Sequence, residues 1–439
     1  MKSIIVFIIF SSLLLPSAFS QDLREQEPLL TLQAAIDAAL DQNFDIRIAN
    51  VELDQAKTNN TIGNAGMLPA VTAIGGINGS ITDAHLELAT GDVQDRKGAI
   101  SRNLNGAVQL DWVLFDGMRM FTNKKRLQEL QDIGSTNLKL QIQTSVAQVI
   151  LAYAEVVRQK QQLVAIDTAL TLAKVRMDLA KVKFEVGTSA KTDYLQAQVD
   201  FNASKAAQLT QGAILRQAKD SLMILIGRNQ FANYDVVDSL YLNKGLTYKD
   251  KDDWMKANFA FQLANRQKNL AQYDLKLANG AQLPVVDFSA AYNYNRTSSG
   301  AGIVLFNRTV GPQAALNVGL PLFNGFNLQR EKKIAKQEVF RQDLFVQRLE
   351  TSLAARYRTA WRSYDNAIKG LALEQENIKY AQENVMIQQA RFRVGVANTL
   401  ELREAENSYV TALTRLVDAA YTVKITETRL LEIENNLVK

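Results

Sequence analysis

The fold is decided by residues 283–325, LPVVDFSAAYNYNRTSSGAGIVLFNRTVGPQAALNVGLPLFNG, whose periodicity differs from that of the sequence on either side. In 285–296 and 313–320, apolar and small polar side chains alternate, which is the period of a β-strand with one apolar face. The flanking sequence repeats apolar residues every three or four positions, as helices that pack on helices do. We therefore expect a strand pair inserted between long helices.

The same arrangement occurs a second time in the chain, about 210 residues earlier. Leu68-Pro69 precedes alternation in 70–82 and 107–114, as Leu283-Pro284 precedes it in the second copy. Three further landmarks recur in the same order, namely LFDG at 114–117 with LFNG at 322–325, Asn43-Phe44 with Asn258-Phe259, and FEVG at 184–187 with FRVG at 392–395. These matches indicate two structural repeats.

Proline is rare, and its placement predicts very long helices. No proline occurs between Pro69 and Pro284 or after Pro321, so nothing there interrupts a helical hydrogen-bond ladder. Two helices of 70 residues each would be about 105 Å long at ~1.5 Å per residue. The shorter helices sum to similar lengths in two pairs, 190–227 with 251–280 and 399–437 with 31–65. We expect each chain to form two long columns and two composite columns.

The resulting fold class is mainly α with a small β part. The first repeat, 21–250, is predicted to contain a helix, a strand pair at 69–115, a long helix at 117–186, a tip turn at 187–189, a helix at 190–227 and an equatorial segment at 228–250. The second repeat, 251–439, is predicted to contain a helix, a strand pair at 284–322, a long helix at 325–394, a tip turn at 395–398 and a helix at 399–437.

The first twenty residues read as a secretory signal peptide. Lys2 supplies the positive charge, residues 4–15 are largely apolar, and Ala18-Phe19-Ser20 provides small residues before a cut at Gln21. No later stretch holds 18 uninterrupted apolar residues, so we expect no transmembrane helix in the mature chain.

The strands suit a transmembrane β-barrel, since they combine an apolar face with a small polar face. Four strands cannot close a barrel, and lipid does not tolerate an open edge, so we expect oligomerisation through the strands. Three copies would supply twelve strands. The connecting segments 83–104 and 297–309 are predicted to be exposed loops, with His85 a solvent-facing loop residue rather than a lone ligand.

Composition removes most kinds of catalytic site. The chain has no cysteine, one histidine, and 50 basic against 45 acidic side chains. Thiol chemistry, disulfides, lipid attachment through cysteine and histidine-based metal clusters are thereby excluded or nearly so. We expect no cofactor, no metal site and no nucleic-acid partner.

The paired landmarks resemble those of the TolC-like outer-membrane efflux protein family over nearly all of the mature chain. The tip motifs carry the resemblance together with the Leu-Pro and Leu-Phe-x-Gly segments, and they read Phe184-x-x-Gly187-x5-Asp193-x3-Ala197 and Phe392-x-x-Gly395-x5-Glu401-x3-Ala405. The resemblance implies a homotrimer in the outer membrane with a periplasmic α-helical barrel. It implies a passive exit duct of a tripartite efflux or type I secretion system, with a periplasmic adaptor (membrane fusion protein) and an inner-membrane transporter as partners.

Two positions depart from the family pattern. The proline expected two residues before the strand-exit phenylalanine is present as Pro321 but replaced by Val113 in the first repeat. In gated members a basic residue two positions past the second tip glycine helps to lock the closed end, and here that residue is Ala397.

The resemblance also assigns two functional regions. The adaptor-docking tips would be Val186, Gly187, Thr188, Val394, Gly395 and Val396, although a bare helix-hairpin turn would need glycine as well. The periplasmic entrance or gate would involve Glu401, Glu404, Asp193, Thr192 and Phe392.

These entrance residues have simpler interpretations too. In a trimer Glu401 and Glu404 would each place three carboxylates around one axis and favour cations there. Alternatively, Asn398 and Glu401 have the spacing of a helix capping box. Phe392 either plugs the closed tip or packs beneath it. A periplasmic adaptor and a secreted coiled-coil structural protein stay open as alternative functions.

Overall fold

The computed structural model describes residues 28–228 and 234–437. The expected signal peptide, residues 1–20, lies outside the described residues, and so does part of the expected equatorial segment. The helices are α1 (Leu32–Gln42), α2 (Phe44–Asn59), α3 (Arg119–Glu185), α4 (Lys191–Leu225), α5 (Lys251–Trp254), α6 (Phe259–Gly280), α7 (Asn327–Arg393) and α8 (Thr399–Ile433). The strands are β1 (Leu29–Leu30), β2 (Ala70–Glu87), β3 (Val93–Phe115), β4 (Asp235–Val236), β5 (Val285–Ser298) and β6 (Phe306–Gly319).

The two long helices α3 and α7 have 67 residues each. The Leu-Phe-x-Gly segments bond the first turns of both helices through their side chains. Asp116 Oδ1 accepts a hydrogen bond from Met120 N at 3.0 Å in α3, and Asn324 Oδ1 accepts one from Leu328 N at 3.4 Å in α7. Each helix begins two residues later than expected, after a glycine and a residue that both have positive φ. The repeated segment therefore connects a strand to a long helix and caps the first turn of that helix.

The glycine of the first segment is required by space as well as by conformation. Gly117 has φ of 73°, and a Cβ atom there would lie 2.3 Å from the carbonyl oxygen of Gly280. The close approach joins the start of α3 to the end of α6.

Helices α4 and α2 stack end to end. Asn43 caps α2 by accepting a hydrogen bond from Ile46 N at 3.1 Å, and its Nδ2 donates to the carbonyl oxygen of Leu225, the last residue of α4, at 2.7 Å. One asparagine thus satisfies an orphan group on each of two helices.

The second repeat builds the same junction between α8 and α6. Asn258 accepts from Phe261 N at 3.1 Å and donates to the carbonyl oxygen of Ile433 at 2.9 Å. The columns predicted from summed lengths, 190–227 with 251–280 and 399–437 with 31–65, are therefore wrong. Lengths could not decide the pairing because α4 and α8 both have 35 residues.

The columns lie side by side in the order α2 with α4, then α3, then α6 with α8, then α7. The α2 and α4 column forms one edge of the helical layer, and α7 forms the other. Near the middle, the belt strands β1 and β4 pair in parallel and pack against the core of α3.

One helix of the described residues, α3, contains a window long and apolar enough to cross a membrane. More than half of that window is buried inside the protomer, with Val146, Val149 and Tyr153 in its core. Burial of this kind is typical of the central helix of a helical layer.

The large sheet is antiparallel throughout, in the order β2-β3-β5-β6. Its strands are longer than predicted, so the expected loops shrink from 83–104 to 88–92 and from 297–309 to 299–305. The loop predictions are wrong because a protruding hairpin keeps its backbone pairing even where its side chains are polar. His85 is exposed as expected but lies in β2, with its Nδ1 2.5 Å from Asp95 Oδ1.

The strand register places the apolar positions of all four strands on one face. Val108 pairs with both Ala73 and Tyr292, and Tyr292 pairs with Pro312. The opposite face carries polar side chains that include Asn78, Asn105, Asn293 and Gln313. This two-faced pattern is that of a membrane barrel with a polar interior.

Candidate functional site at the hairpin tips

Both hairpin tips use the same backbone turn. Gly187 and Gly395 have φ of 78° and 81°. The residue after each glycine donates to a carbonyl oxygen five positions earlier, at 2.8 Å for Thr188 and 2.9 Å for Val396. This is the Schellman motif, which satisfies the last carbonyls of α3 and α7 and requires the left-handed conformation that glycine adopts readily.

The first tip leaves its aromatic residue partly exposed. Phe184 is 37% exposed and stacks on Tyr194 with ring centroids 6.4 Å apart. Ser189 Oγ donates to Asp193 Oδ2 at 2.6 Å, and Thr192 is exposed. Asp193 is thus held at the start of α4 by a neighbour on its own turn.

The second tip buries its aromatic residue. Phe392 is 2% exposed and packs with Ala397 and Leu402. Lys183 of α3 donates to the carbonyl oxygen of Phe392 at 2.7 Å, and its Nζ lies 3.7 Å from the centroid of the ring. In the protomer Phe392 therefore packs beneath the tip, and Ala397 contributes to the same cluster.

The start of α8 carries the two predicted entrance acids. Asn398 Oδ1 accepts a hydrogen bond from Glu401 N at 2.9 Å, so the capping interpretation describes this turn correctly. Glu401 also places Oε2 3.8 Å from Arg391 Nη2. Glu404 is exposed and has neither a hydrogen bond nor an ion pair within residues 28–228 and 234–437.

Both tips expose valine side chains. Val186, Val394 and Val396 are 66%, 75% and 67% exposed. Two repeats thus present exposed valines around a glycine turn, and Glu185 and Thr188 are exposed polar residues on either side of that turn in the first tip.

A buried charge cluster that the sequence motifs did not predict lies behind the tips. Arg176 of α3 is 4% exposed, and its guanidinium donates to Asp200 Oδ2 of α4 at 2.9 Å and to the Glu406 carboxylate of α8. It lies about 16 Å from Gly187 along α3, at ~1.5 Å per helical residue. The cluster therefore fastens the first hairpin to a helix of the second.

A sequence signal for this cluster exists. Ala173 and Ala180 are buried on either side of Arg176 at helical spacing, so the arginine occupies a core position of the apolar stripe. A charge at such a position needs buried partners.

Glu406 has an unusual protonation equilibrium. Burial raises the pKa of Glu406 to about 7 although Arg176 lowers it, and the nearby Asp200 carboxylate adds to the increase. One guanidinium cannot neutralise two carboxylates, so the site favours a proton on one of them.

Within the described parts of the chain, no group of three or more metal-ligating side chains could hold a metal ion. The geometry offers instead long hairpins with exposed tips, joined to a sheet with one apolar and one polar face. Such a protein belongs to the class of channels that span a membrane with strands and extend from it with helices.

The family comparison identifies the class more narrowly. The model of the outer membrane efflux protein family matches residues 35–228 and 253–436, which is most of the chain. The chain belongs to this family, and the two matched ranges correspond to its two repeats.

Several curated proteins are similar to the chain. The outer membrane efflux protein BepC of Brucella suis is 21% identical over 74% of this chain and 70% of its own length. The outer membrane protein TolC of Escherichia coli is 20% identical over 76% and 70%. The probable efflux pump outer membrane protein TtgC of Pseudomonas putida is 23% identical over 88% and 79%.

Solved structures share the fold. The outer membrane protein VceC of Vibrio cholerae superposes with a TM-score of 0.74 and 15% identity, covering 92% of this chain and 96% of that one. A membrane protein from Pseudomonas aeruginosa gives 0.78 and 16%, covering 92% and 90%.

The chain is therefore an outer membrane efflux channel with a large periplasmic helical part, an exit duct for tripartite efflux or type I secretion. The predictions of fold class, family, location and general function are confirmed. Proteins of this family are transport ducts rather than enzymes. The alternatives of a periplasmic adaptor and a structural coiled-coil protein are wrong.

Proposed function

We propose that three copies of the chain assemble into one duct, with a twelve-stranded barrel in the outer membrane above a ring of twelve helical columns. The duct docks through its tips on a periplasmic adaptor and, through that adaptor, on an inner-membrane transporter. It acts passively, without a cofactor and without a catalytic step of its own.

The observation that carries the proposal is the pair of free sheet edges. Among residues 28–228 and 234–437, β2 and β6 each pair on one side only, so this part of a lone protomer leaves two open edges. The two edge strands run in opposite directions, and joining β6 of one copy to β2 of the next continues the antiparallel pattern. A closed ring satisfies the backbone groups that lipid would leave unpaired.

The helical layer supports the same closure. Its two edges expose large apolar side chains that a neighbouring copy would cover. On the α2 and α4 edge these are Phe44, Ile48, Val51, Val199 and Leu209, and on the α7 edge they are Phe340, Leu344, Leu373, Tyr380 and Met386.

The natural absence of cysteine makes the assembly easy to test. A cysteine on an outward position of β2, such as Ala73→Cys, is combined in turn with single cysteines on the outward positions of β6. Oxidation should produce covalent dimers and trimers for at least one register. The matched control pairs Ala73→Cys with a cysteine on the inner strand β3, which should stay monomeric on denaturing gels. A detergent-purified monomer without any cross-link would overturn the trimer.

The tip residues Val186, Gly187 and Thr188, with Val394, Gly395 and Val396, are proposed as the adaptor-docking surface. Their exposed valines and shared turn support this role. A photoactivatable cross-linker on Thr188→Cys should capture the adaptor in whole cells, whereas the same label on Thr210→Cys, exposed on α4 far from the tip, should not. Equal capture from both positions would contradict docking at the tip.

Glu401 and Glu404 are proposed to line the periplasmic entrance, with Asp193 and Thr192 on the corresponding turn of the first repeat and Phe392 packed behind it. Glu404 supports this role because it is exposed and unpaired among the described residues. Three copies would bring six carboxylates near one axis and attract cations.

Replacing both acids by Glu401→Ala and Glu404→Ala should raise single-channel conductance or reduce cation preference in planar bilayers. The control, Glu376→Ala with Glu383→Ala, removes two exposed acids from the shaft of α7 instead. Conductance and selectivity unchanged by the entrance variant would remove the assignment.

A further inference from the structure

Three arginines occupy the apolar face of the sheet, level with the ends of β5 and β6 that lie farthest from the helices. Arg102 of β3, Arg296 of β5 and Arg308 of β6 are exposed, and the register puts them on the same face as Tyr292. Arg296 pairs directly with Arg308, whereas Arg102 pairs with Ser298, two positions from Arg296. Direct partners have Cβ atoms about 5 Å apart and diagonal ones ~7–8 Å. We call these three residues the rim arginines.

The rim arginines have no neutralising partner in the protomer. Among the described residues, none of the three forms an ion pair or a side-chain hydrogen bond, and only the ring of Phe306 lies against Arg296, 5.4 Å from its Cζ. Like charges directly opposite on a sheet are destabilising, and a guanidinium does not give up its proton. The positive charges of the three guanidinium groups are therefore not neutralised within the described part of the protomer, and we expect them to attract an anion.

The distance of the rim arginines from the periplasmic end of the sheet indicates whether they lie in the acyl-chain region or at the level of the lipid headgroups. Arg296 is eleven residues beyond Val285, the first residue of β5. At ~3.3 Å per residue and a strand tilt of roughly 40°, this is about 28 Å above the periplasmic end of the strand. The apolar band of an outer-membrane barrel is ~25 Å tall. The rim arginines consequently emerge just above the acyl chains, where Tyr292 and Tyr294 mark the upper part of the apolar face.

We propose that the rim arginines bind phosphate groups of an anionic, phosphorylated glycolipid in the outer leaflet of the outer membrane. A guanidinium presents a planar fork of donors that matches phosphate oxygens, and Arg296, with Arg308 about 5 Å and Arg102 ~7–8 Å away, suits a headgroup with more than one phosphate. The inference rests on the outward orientation of this face in the proposed trimer. Three copies place nine such arginines around the barrel.

The experiment uses the full-length protein purified in detergent and bisphosphorylated lipid A as the probe. The variant carries Arg102→Gln, Arg296→Gln and Arg308→Gln together. Wild type should bind the probe at least about tenfold more tightly than this variant. Lipid A from which both phosphates have been removed should bind equally weakly to the two proteins.

A matched control removes three exposed cations from the other end of the barrel, by Arg330→Gln, Lys332→Gln and Lys333→Gln at the start of α7. This variant should bind bisphosphorylated lipid A as wild type does. Equal binding by wild type and the rim variant, or an equal loss in the control, would overturn the site. Inorganic phosphate that binds as tightly as lipid A would overturn the assignment to a lipid.

Measuring the molecular mass of the purified protein in the same detergent samples tests the trimer separately from the lipid-binding site. A monomer that binds lipid A through the rim arginines would refute the trimer and keep the lipid site. A trimer whose lipid A binding does not depend on these arginines would refute the lipid site and keep the trimer.

Discussion

The two hairpin tips share one backbone turn and differ in the treatment of its aromatic residue. Phe184 stays 37% exposed and stacks on its own hairpin, whereas Phe392 is 2% exposed and lies beneath Lys183 of the other hairpin. The glycine of the repeated Phe-x-x-Gly motif therefore forms the same turn in both hairpins, whereas its phenylalanine packs differently in each. The aromatic residue of the second tip is packed by a side chain of the first hairpin, whereas the aromatic residue of the first tip is packed by a side chain of its own hairpin.

The largest expected effect compares the two phenylalanines directly. Phe392→Ala should lower the free energy of local opening at the second tip by about 3–5 kcal/mol, since it empties a buried site. Phe184→Ala should cost less, about 1–2 kcal/mol, because its ring is already partly solvated. Hydrogen exchange of the amides in 388–402 and 180–195 measures both. Equal decreases in the free energy of local opening at the two tips would contradict the difference in packing between Phe392 and Phe184.

A smaller effect is expected from breaking the cluster that joins the hairpins. Arg176→Met should cost about 1.5–3 kcal/mol at pH 8, because Asp200 and Glu406 lose their charged donor. The loss should shrink at pH 5.5, where Glu406, whose pKa is raised to about 7, has taken up a proton. Thermal unfolding of the purified protein at both pH values provides the test.

The sign of this pH dependence follows from linkage. In wild type the raised pKa of Glu406 means that the folded state binds a proton more tightly than the unfolded state. Its contribution to the free energy of unfolding therefore falls as pH rises from 4.5, the ordinary pKa of a glutamate, through about 7. Glu406→Gln should abolish that slope. The control Arg341→Met, whose partner Glu338 is on the same exposed face of α7, should change stability by less than about 0.5 kcal/mol at either pH.

The smallest effect concerns the helix that follows each turn. Asn398→Ala removes the side-chain cap of α8 and should cost about 1 kcal/mol. Ser189→Ala should cost only a few tenths of a kcal/mol, since Ser189 bonds the Asp193 side chain and leaves the backbone of α4 uncapped. Hydrogen exchange in the first turns of α4 and α8 distinguishes them. A larger loss at the first tip would reverse the comparison.

The sequence predicted the features that depend on local periodicity and on repeated landmarks. Alternation in 285–296 identified a strand, the proline-free stretches identified α3 and α7, and the glycines of the tips identified the turns. These features are encoded within a few residues of one another. The capping role of Asn398 was predictable for the same reason.

Features that depend on distant partners were not predictable in this way. Asn43 and Asn258 were recognised as a repeat, yet nothing local revealed that each reaches the end of a helix about 180 residues away. The partners of Arg176 lie on two other helices, so only its position within an apolar stripe hinted at them. Strand length was underestimated because cross-strand pairing, rather than side-chain polarity, decides where β2 and β3 end.

The asparagine junctions have a mechanical consequence. α3 and α7 are each unbroken over 67 residues, whereas their neighbouring columns are interrupted at junctions that Asn43 and Asn258 bridge. At the second junction Asn435 Nδ2 also donates to the carbonyl oxygen of Ala257 at 3.0 Å. Continuous and interrupted helical columns thus alternate around the proposed helical barrel. We therefore expect α3 and α7 to transmit torque applied at the periplasmic end, and the neighbouring columns to rotate at the asparagine junctions without loss of a helical turn.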